Sequence, residues 1–264
     1  MKITIEDLLR DRKENTFDAQ DKIRSILKFY VGDLENKVFN EKEYRQLGWY
    51  ENEYFDVINS FYTTYKRALM ICDFEIREKK EYAGNALTIG ESLYCELKQF
   101  KKANIGKPLE EFAELTHCVA NFMPYPKLKI RLRGKEKELW IFNSAKGTSK
   151  AHDYLPLFVD LIQQCIDDND NLIYDGNHKW IEFKYLDQWS DWLIANVDEY
   201  CLSCYYEVKD GKLKGKPFFK GQSLAHPYPQ NAEEVNECVS NMINCIKIRA
   251  EELLYRINEQ GASK

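Results

Sequence analysis

PLEEFAELTHCVANFMPYPKLKIRLRGKEKELWIFNSAKGTSKAHD, residues 108–153, holds most of the polar groups in this chain that could do chemistry. At about 100° per residue, a helix through its first part gathers Glu110, Glu114, His117 and Asn121 into one stripe. Leu109, Phe112, Ala113, Thr116, Val119 and Ala120 then form the flank expected to face a core. Glu114, one turn before His117, is placed to orient the imidazole, and a carboxylate–histidine pair can serve as a general base. The bland alternative is that the two glutamates solvate the helix while His117 bonds near its end.

Pro124 and Pro126 stop that helix and enforce an extended turn. Lys127, Lys129, Arg131 and Arg133 then alternate with Leu128, Ile130 and Leu132, so a strand here has one cationic and one aliphatic face. From Lys127 to Lys150 there are eight Lys or Arg against two Glu, inside a chain of net charge -5. Clustered cations neutralise phosphates, which makes an anionic partner the natural expectation. The structural alternative is an edge strand guarded by lysines against aggregation.

The loop Asn143–Lys150 lacks the first glycine and the Gly-Lys-Ser/Thr ending of a phosphate-binding loop. His152 and Asp153 add an imidazole and a carboxylate, although Asp153 can also cap the next helix. The candidate set is therefore Glu114, His117, Asn121 and Asp153 for catalysis, and Arg131, Arg133, Lys146 and Lys150 for an anion.

Working outward, Thr4 and Asp7 form a capping box for a short helix, and Asp18 opens a second helix. Phe55, Ile58, Phe61, Tyr62, Tyr65 and Leu69 recur at spacings of three and four, which predicts a helix from Asn52 to Met70. Residues 68–76 continue it or turn into a strand. Gly90 to Lys102 reads as a further helix. Leu157 to Ile166 is an apolar helix ending in the polar run Asp167–Asn171, and Asp187 opens a helix bearing Trp189 and Trp192.

Leu202 to Val208 is strand-like, with a hairpin turn at Lys209-Asp-Gly211. Asn231 and Glu234 make a second capping box, starting a long helix whose apolar face runs from Val235 to Ile257. With no repeat or linker, the expectation is one globular domain over 1–264, α+β and predominantly helical, with a small antiparallel β element.

Hydrophobic residues make up 44% and aromatics 14% of 264 residues, enough for a real core and too many for a disordered chain. No apolar run is long enough to span a bilayer, and the charged start is unlike a signal peptide. Eight scattered cysteines suit packing in a reducing compartment, so a cytoplasmic location without a membrane partner is expected. Cys201-Leu-Ser-Cys204 is a lone pair with no second ligand pair for zinc, and the acidic loops lack calcium-loop spacing. No motif names a cofactor, a metal or an oligomeric state.

His117-Cys-Val-Ala-Asn-Phe-Met-Pro-Tyr-Pro126, Arg133-Gly134 and the Lys150…Asp153 turn resemble a bacterial family of the domain-of-unknown-function type. Its members read His-Thr-Ile-Gly-x-Phe…Pro…Arg-Gly…Asp at this point; here Cys118, Val119 and Ala120 replace Thr, Ile and Gly. The likeness extends to Asp18 and Asp21, and to Phe218 through Pro227, Pro229 and the closing helix. It implies a single-unit architecture and a special role for this stretch, and it carries no established activity. A fainter resemblance, to the tails of HNH-type nucleases, rests on Asn121, Phe122, Pro124, Asn143, Ser144 and Gly147, and here the upstream histidine of that motif is missing.

Three functions follow as expectations. The first is binding, with hydrolysis as a further step, of a phosphate-bearing ligand such as nucleic acid or nucleotide. The second is a non-catalytic regulatory role in which the basic patch meets an acidic protein. The third is metal-dependent hydrolysis around His117 and His152.

Overall fold

The structure, a computed structural model, describes residues 4–10, 49–59, 61–72, 98–116, 118–132, 135–140, 154–169, 172–174, 179–181 and 183–262. It is a predominantly helical α+β protein. The chain divides into two compact units: Met1–Ile23, Val57–Phe122 and Pro217–Lys264 form the first, and Arg24–Asp56 with Met123–Lys216 the second.

The first unit begins with α1 (Ile5–Leu9), started by the expected box: the Asp7 N–H donates to Thr4 Oγ1 at 3.3 Å and the Thr4 N–H to Asp7 Oδ2 at 3.1 Å. The predicted Asn52–Met70 helix is corrected. Residues Trp49–Val57 are strand β1, and helix α2 covers only Phe61–Ile71. Phe55 satisfied the helical spacing by coincidence, because an aromatic-rich strand runs almost directly into a helix. Within α2 the period holds, burying Phe61, Tyr65 and Leu69, and α2 continues past Ala68 as a helix.

Two further helices follow, α3 (Lys98–Lys102) and α4 (Gly106–Leu115), then a single 3-10 turn at Val119–Asn121. Rings stitch these pieces together, with Phe61–Phe112 and Tyr65–Phe100 centroids each 5.7 Å apart. Edge and tilted ring contacts add to area burial, which alone is worth about 1.5–3 kcal/mol per large side chain.

The last helix, α7 (Ala232–Ala262), packs on α4, the 3-10 turn, α1 and α2. At its N-terminus the expected box is half made: the Glu234 N–H donates to Asn231 Oδ1 at 2.9 Å, while the Glu234 carboxylate accepts from Asn231 Nδ2 at 2.8 Å and from the Gln230 N–H at 2.8 Å, one residue before the cap. Val235, Cys238, Val239, Met242, Ile246 and Leu253 are buried along the stripe the sequence predicts.

In the second unit, β1 joins β2 (Phe122–Leu132) and β3 (Lys135–Trp140) in a sheet of order β1-β2-β3. The basic strand is therefore central, with a neighbour on both sides, and the edge-strand alternative falls. Helix α5 (Leu155–Asp167) follows as predicted, with Pro156 in its first turn, where a missing N–H costs nothing. A hairpin of β4 (Leu172–Tyr174) and β5 (Lys179–Ile181) comes next. Helix α6 (Phe183–Asn196) starts four residues before the predicted Asp187.

The β6 (Tyr206–Lys209) and β7 (Lys212–Gly215) hairpin turns where the sequence predicts, through Asp210 and Gly211 at φ of 53° and 73°. Two successive positive φ values are the type I′ signature, and glycine takes the second at no steric cost. The strand begins later than predicted, since residues 202–205 are a turn. β7 lies against α5. The Gly215 N–H donates to Asp160 Oδ1 at 2.7 Å, and a Cβ at Gly215 would sit 2.1 Å from the Pro156 carbonyl oxygen, so only glycine fits. The predicted second helix near Asp18 and most of the Gly90–Lys102 helix lie outside the described residues.

Candidate functional site

Of the eight candidate residues, Glu114, Asn121 and Arg131 are described, while residues 117, 133, 146, 150 and 153 lie outside the described set. The single helical stripe is corrected. Helix α4 ends at Leu115, Thr116 Oγ1 donates back to the Phe112 carbonyl at 2.9 Å, and Cys118 resets the backbone to φ -84°, ψ 155°. Glu114 stays exposed on α4, whereas Asn121 sits on the separate 3-10 turn and points inward, fully buried. The predicted apolar flank is nevertheless right, because Leu109, Phe112, Ala113, Thr116, Val119 and Ala120 are all buried.

Asn121 uses its whole amide on the protein. Its Oδ1 accepts from the Asn59 N–H and from Asn59 Nδ2, both at 3.1 Å. Its Nδ2 donates to the Thr116 carbonyl at 2.9 Å and to the Asn59 carbonyl at 3.3 Å. Two donors and two acceptors is a full complement for such an amide. Asn121 therefore ties the segment before α2 to the turn after α4, and it has nothing left to offer a substrate.

Arg249 completes this hub. It is 1% exposed, and its Nη1 donates to the Ala120 carbonyl at 2.6 Å and the Phe122 carbonyl at 2.7 Å. The sequence signal was available: Arg249 falls three residues after Ile246 and four before Leu253, on the apolar stripe of α7. A cation at such a position is buried only when something fixes it there.

A second cluster lies where sequence reasoning placed no site. Residues 217–230 carry no helix or strand, yet side chains clamp them to α7 and to one another. The Phe218 N–H donates to Gln222 Oε1 at 2.6 Å, Asn241 Nδ2 to the Phe218 carbonyl at 2.7 Å, and the Lys220 N–H to Glu237 Oε2 at 3.1 Å. His226 Nε2 lies 3.3 Å from Glu234 Oε2, and its ring meets the Phe219 ring edge-on at 5.5 Å.

The Gln230 N–H is the main reason the Glu234 carboxyl is held below the usual carboxylate range, with Asn231 and His226 adding to it against a desolvation that raises it. A carboxyl depressed on folding stabilises above its unfolded pKa of about 4.3, and loses that contribution as pH falls through its lower folded value. Thermal midpoints followed from pH 7 down to about pH 3 are accordingly expected to fall less for Glu234→Gln than for the native chain. Parallel acid limbs for the two proteins would contradict that assignment.

The basic strand has a defined register. Lys127 stands opposite Trp140, Lys129 opposite Glu138 and Arg131 opposite Glu136, while Ile130 faces Lys137 and Leu132 faces Lys135. Directly opposite residues share a face in an antiparallel pair, and opposite charges there attract. Two of the three described cations of the alternating set thus have a carboxylate at the opposing position, and Lys127 has an indole. The described hairpin still carries five cations against two carboxylates, a net of +3.

Among the described residues no group of His, Cys, Asp and Glu is arranged to hold a metal ion, and no helix is long and apolar enough to cross a membrane. Cys201 and Cys204 sit in the turns before β6, Cys201 buried at a φ of 54°. No family model, curated protein or solved structure matches the chain.

Proposed function

We propose that this protein binds a phosphate-bearing ligand, nucleic acid or nucleotide, through the β2–β3 hairpin. The observation that carries the reading is the excess of five cations over two carboxylates on the β2–β3 hairpin, within the run of eight Lys or Arg against two Glu from Lys127 to Lys150; β1, on the other side of β2, adds Glu51, Glu53 and Asp56 to the sheet. A local positive field on an acidic protein attracts polyanions and is screened by salt. Binding of inorganic polyphosphate by the whole chain, followed from about 50 to about 200 mM salt, tests it directly. Affinity is expected to fall steeply over that range, and no binding at the lower salt would refute the reading.

An acidic protein partner is the second reading. It is favoured by one feature, the alternation of Lys129 and Arg131 with Glu138 and Glu136 at opposing positions, because mixed charge suits a protein surface better than a phosphate chain. Hydrolysis enters either scheme only with a product, which incubation with labelled nucleic acid would reveal.

A further inference from the structure

His226 is fixed in both backbone and ring. Its N–H donates to the Ser223 carbonyl at 3.0 Å, the Ser223 N–H returns a bond to the His226 carbonyl at 3.2 Å, and Gln222 Nε2 holds the Pro227 carbonyl at 3.2 Å. With Nε2 turned to Glu234, Nδ1 has no partner among the described residues. A histidine tied to a carboxylate through one nitrogen presents a lone pair at the other. The pair is open to solvent, because the two side chains are 29% and 23% exposed.

Two residues on, the Tyr228 ring carries Arg67 of α2, whose guanidinium carbon lies 4.1 Å from the ring centre. Arg67 is half-buried and has no carboxylate partner among the described residues. Stacking on an aromatic face fixes the guanidinium plane and leaves its edge N–H groups for a planar pair of oxygens. A half-buried cation without a counter-charge is costly, which favours an anion that supplies one. Residues 226–228 thus bring a hydrogen-bond acceptor and a guanidinium fork to one short segment. The same segment is held to α7 by the carboxylates of Glu234 and Glu237, and these oppose a second negative charge on a ligand. A carboxylate brings one charge near neutral pH, whereas a phosphate monoester brings nearly two.

We propose that Arg67 and His226 bind a small hydroxy acid, with its carboxylate in the Arg67 fork and its hydroxyl donating to His226 Nδ1. This inference does not depend on the hairpin reading.

The test uses the full chain and three probes, glycolate, acetate and inorganic phosphate, followed by calorimetry and by the imidazole resonances of His226, assigned with His226→Phe. Glycolate is expected to shift those resonances saturably, with a Kd on the order of 1 mM. Acetate lacks the hydroxyl and should bind about tenfold more weakly, and phosphate should bind no more tightly than acetate. Arg67→Gln should abolish glycolate binding and leave polyphosphate binding unchanged. Arg67→Lys, which keeps the charge without the fork, should recover only part, and it decides the matter should Arg67→Gln fail to fold. His226→Phe should bring glycolate down to the affinity of acetate. His226 resonances unmoved by glycolate, equal affinity for glycolate and acetate, tighter binding of phosphate, or undiminished glycolate binding in the Arg67 variants would each overturn the inference and leave the hairpin reading standing.

Discussion

Replacing Arg249 with methionine is expected to lower the stability of the first unit by about 3–5 kcal/mol. The guanidinium is almost fully buried and supplies hydrogen to two carbonyls, Ala120 and Phe122, that bracket the inward-facing Asn121. Methionine fills much of the volume and donates nothing, so both buried carbonyls lose that donor. A charged donor is worth more than a neutral one, and an orphaned acceptor costs its full desolvation. Arg249→Lys should recover part of the loss, since a single ammonium cannot reproduce the planar fork. Urea unfolding of the two variants beside the native chain measures this. A methionine variant within about 0.5 kcal/mol of native stability would mean the hub does not hold the turn.

Asn121→Ala follows from the same network and should cost about 2–4 kcal/mol, because four hydrogen bonds to Asn59 and Thr116 are lost together. It separates two accounts of this residue. As a catalytic group, Asn121 would leave stability nearly unchanged when removed and would abolish any turnover. As a tie between the segment before α2 and the 3-10 turn, its loss lowers the urea midpoint and exposes the Asn59 backbone N–H to faster hydrogen exchange. The second outcome is expected. Full stability together with lost ligand processing would return Asn121 to the catalytic set.

What could be read from the sequence was whatever local chemistry decides. The box at Thr4–Asp7, the Asn231 cap at the start of α7, the turn at Asp210–Gly211 and the apolar period of α5 each depend on residues within one or two turns, and all four are present. The failures share a different cause. Residues 49–57 carry aromatic spacing that a strand and a helix both satisfy, and only pairing with β2 selects the strand. Glu114 and Asn121 fit one stripe only if the helix continues past Leu115. It does not, because Cys118 adopts an extended backbone and the buried hub draws Asn121 inward.

The candidate site divided in the same way. Alternation in 127–132 correctly marked a strand, but the charge on its face could not be judged without knowing what stands opposite. The register puts Glu138 and Glu136 opposite Lys129 and Arg131, and β1 on the other side of β2 brings Glu51, Glu53 and Asp56 into the same sheet. Arg249, a buried cation on the apolar stripe of α7, carried a signal that the apolar positions alone do not show.

The claim that matters most is that the β2–β3 hairpin is where this protein meets a polyanion. Lys127, Lys135 and Lys137 stand opposite Trp140, Leu132 and Ile130, and reversing Lys127 and Lys137 to glutamate takes the hairpin from a net charge of +3 to -1. Affinity for inorganic polyphosphate should be compared between the native chain and Lys127→Glu/Lys137→Glu across salt. The account predicts that the variant binds at least about tenfold more weakly at low salt, with a log–log salt slope shallower by about one to two. Equal affinities and equal slopes for the two proteins would contradict it.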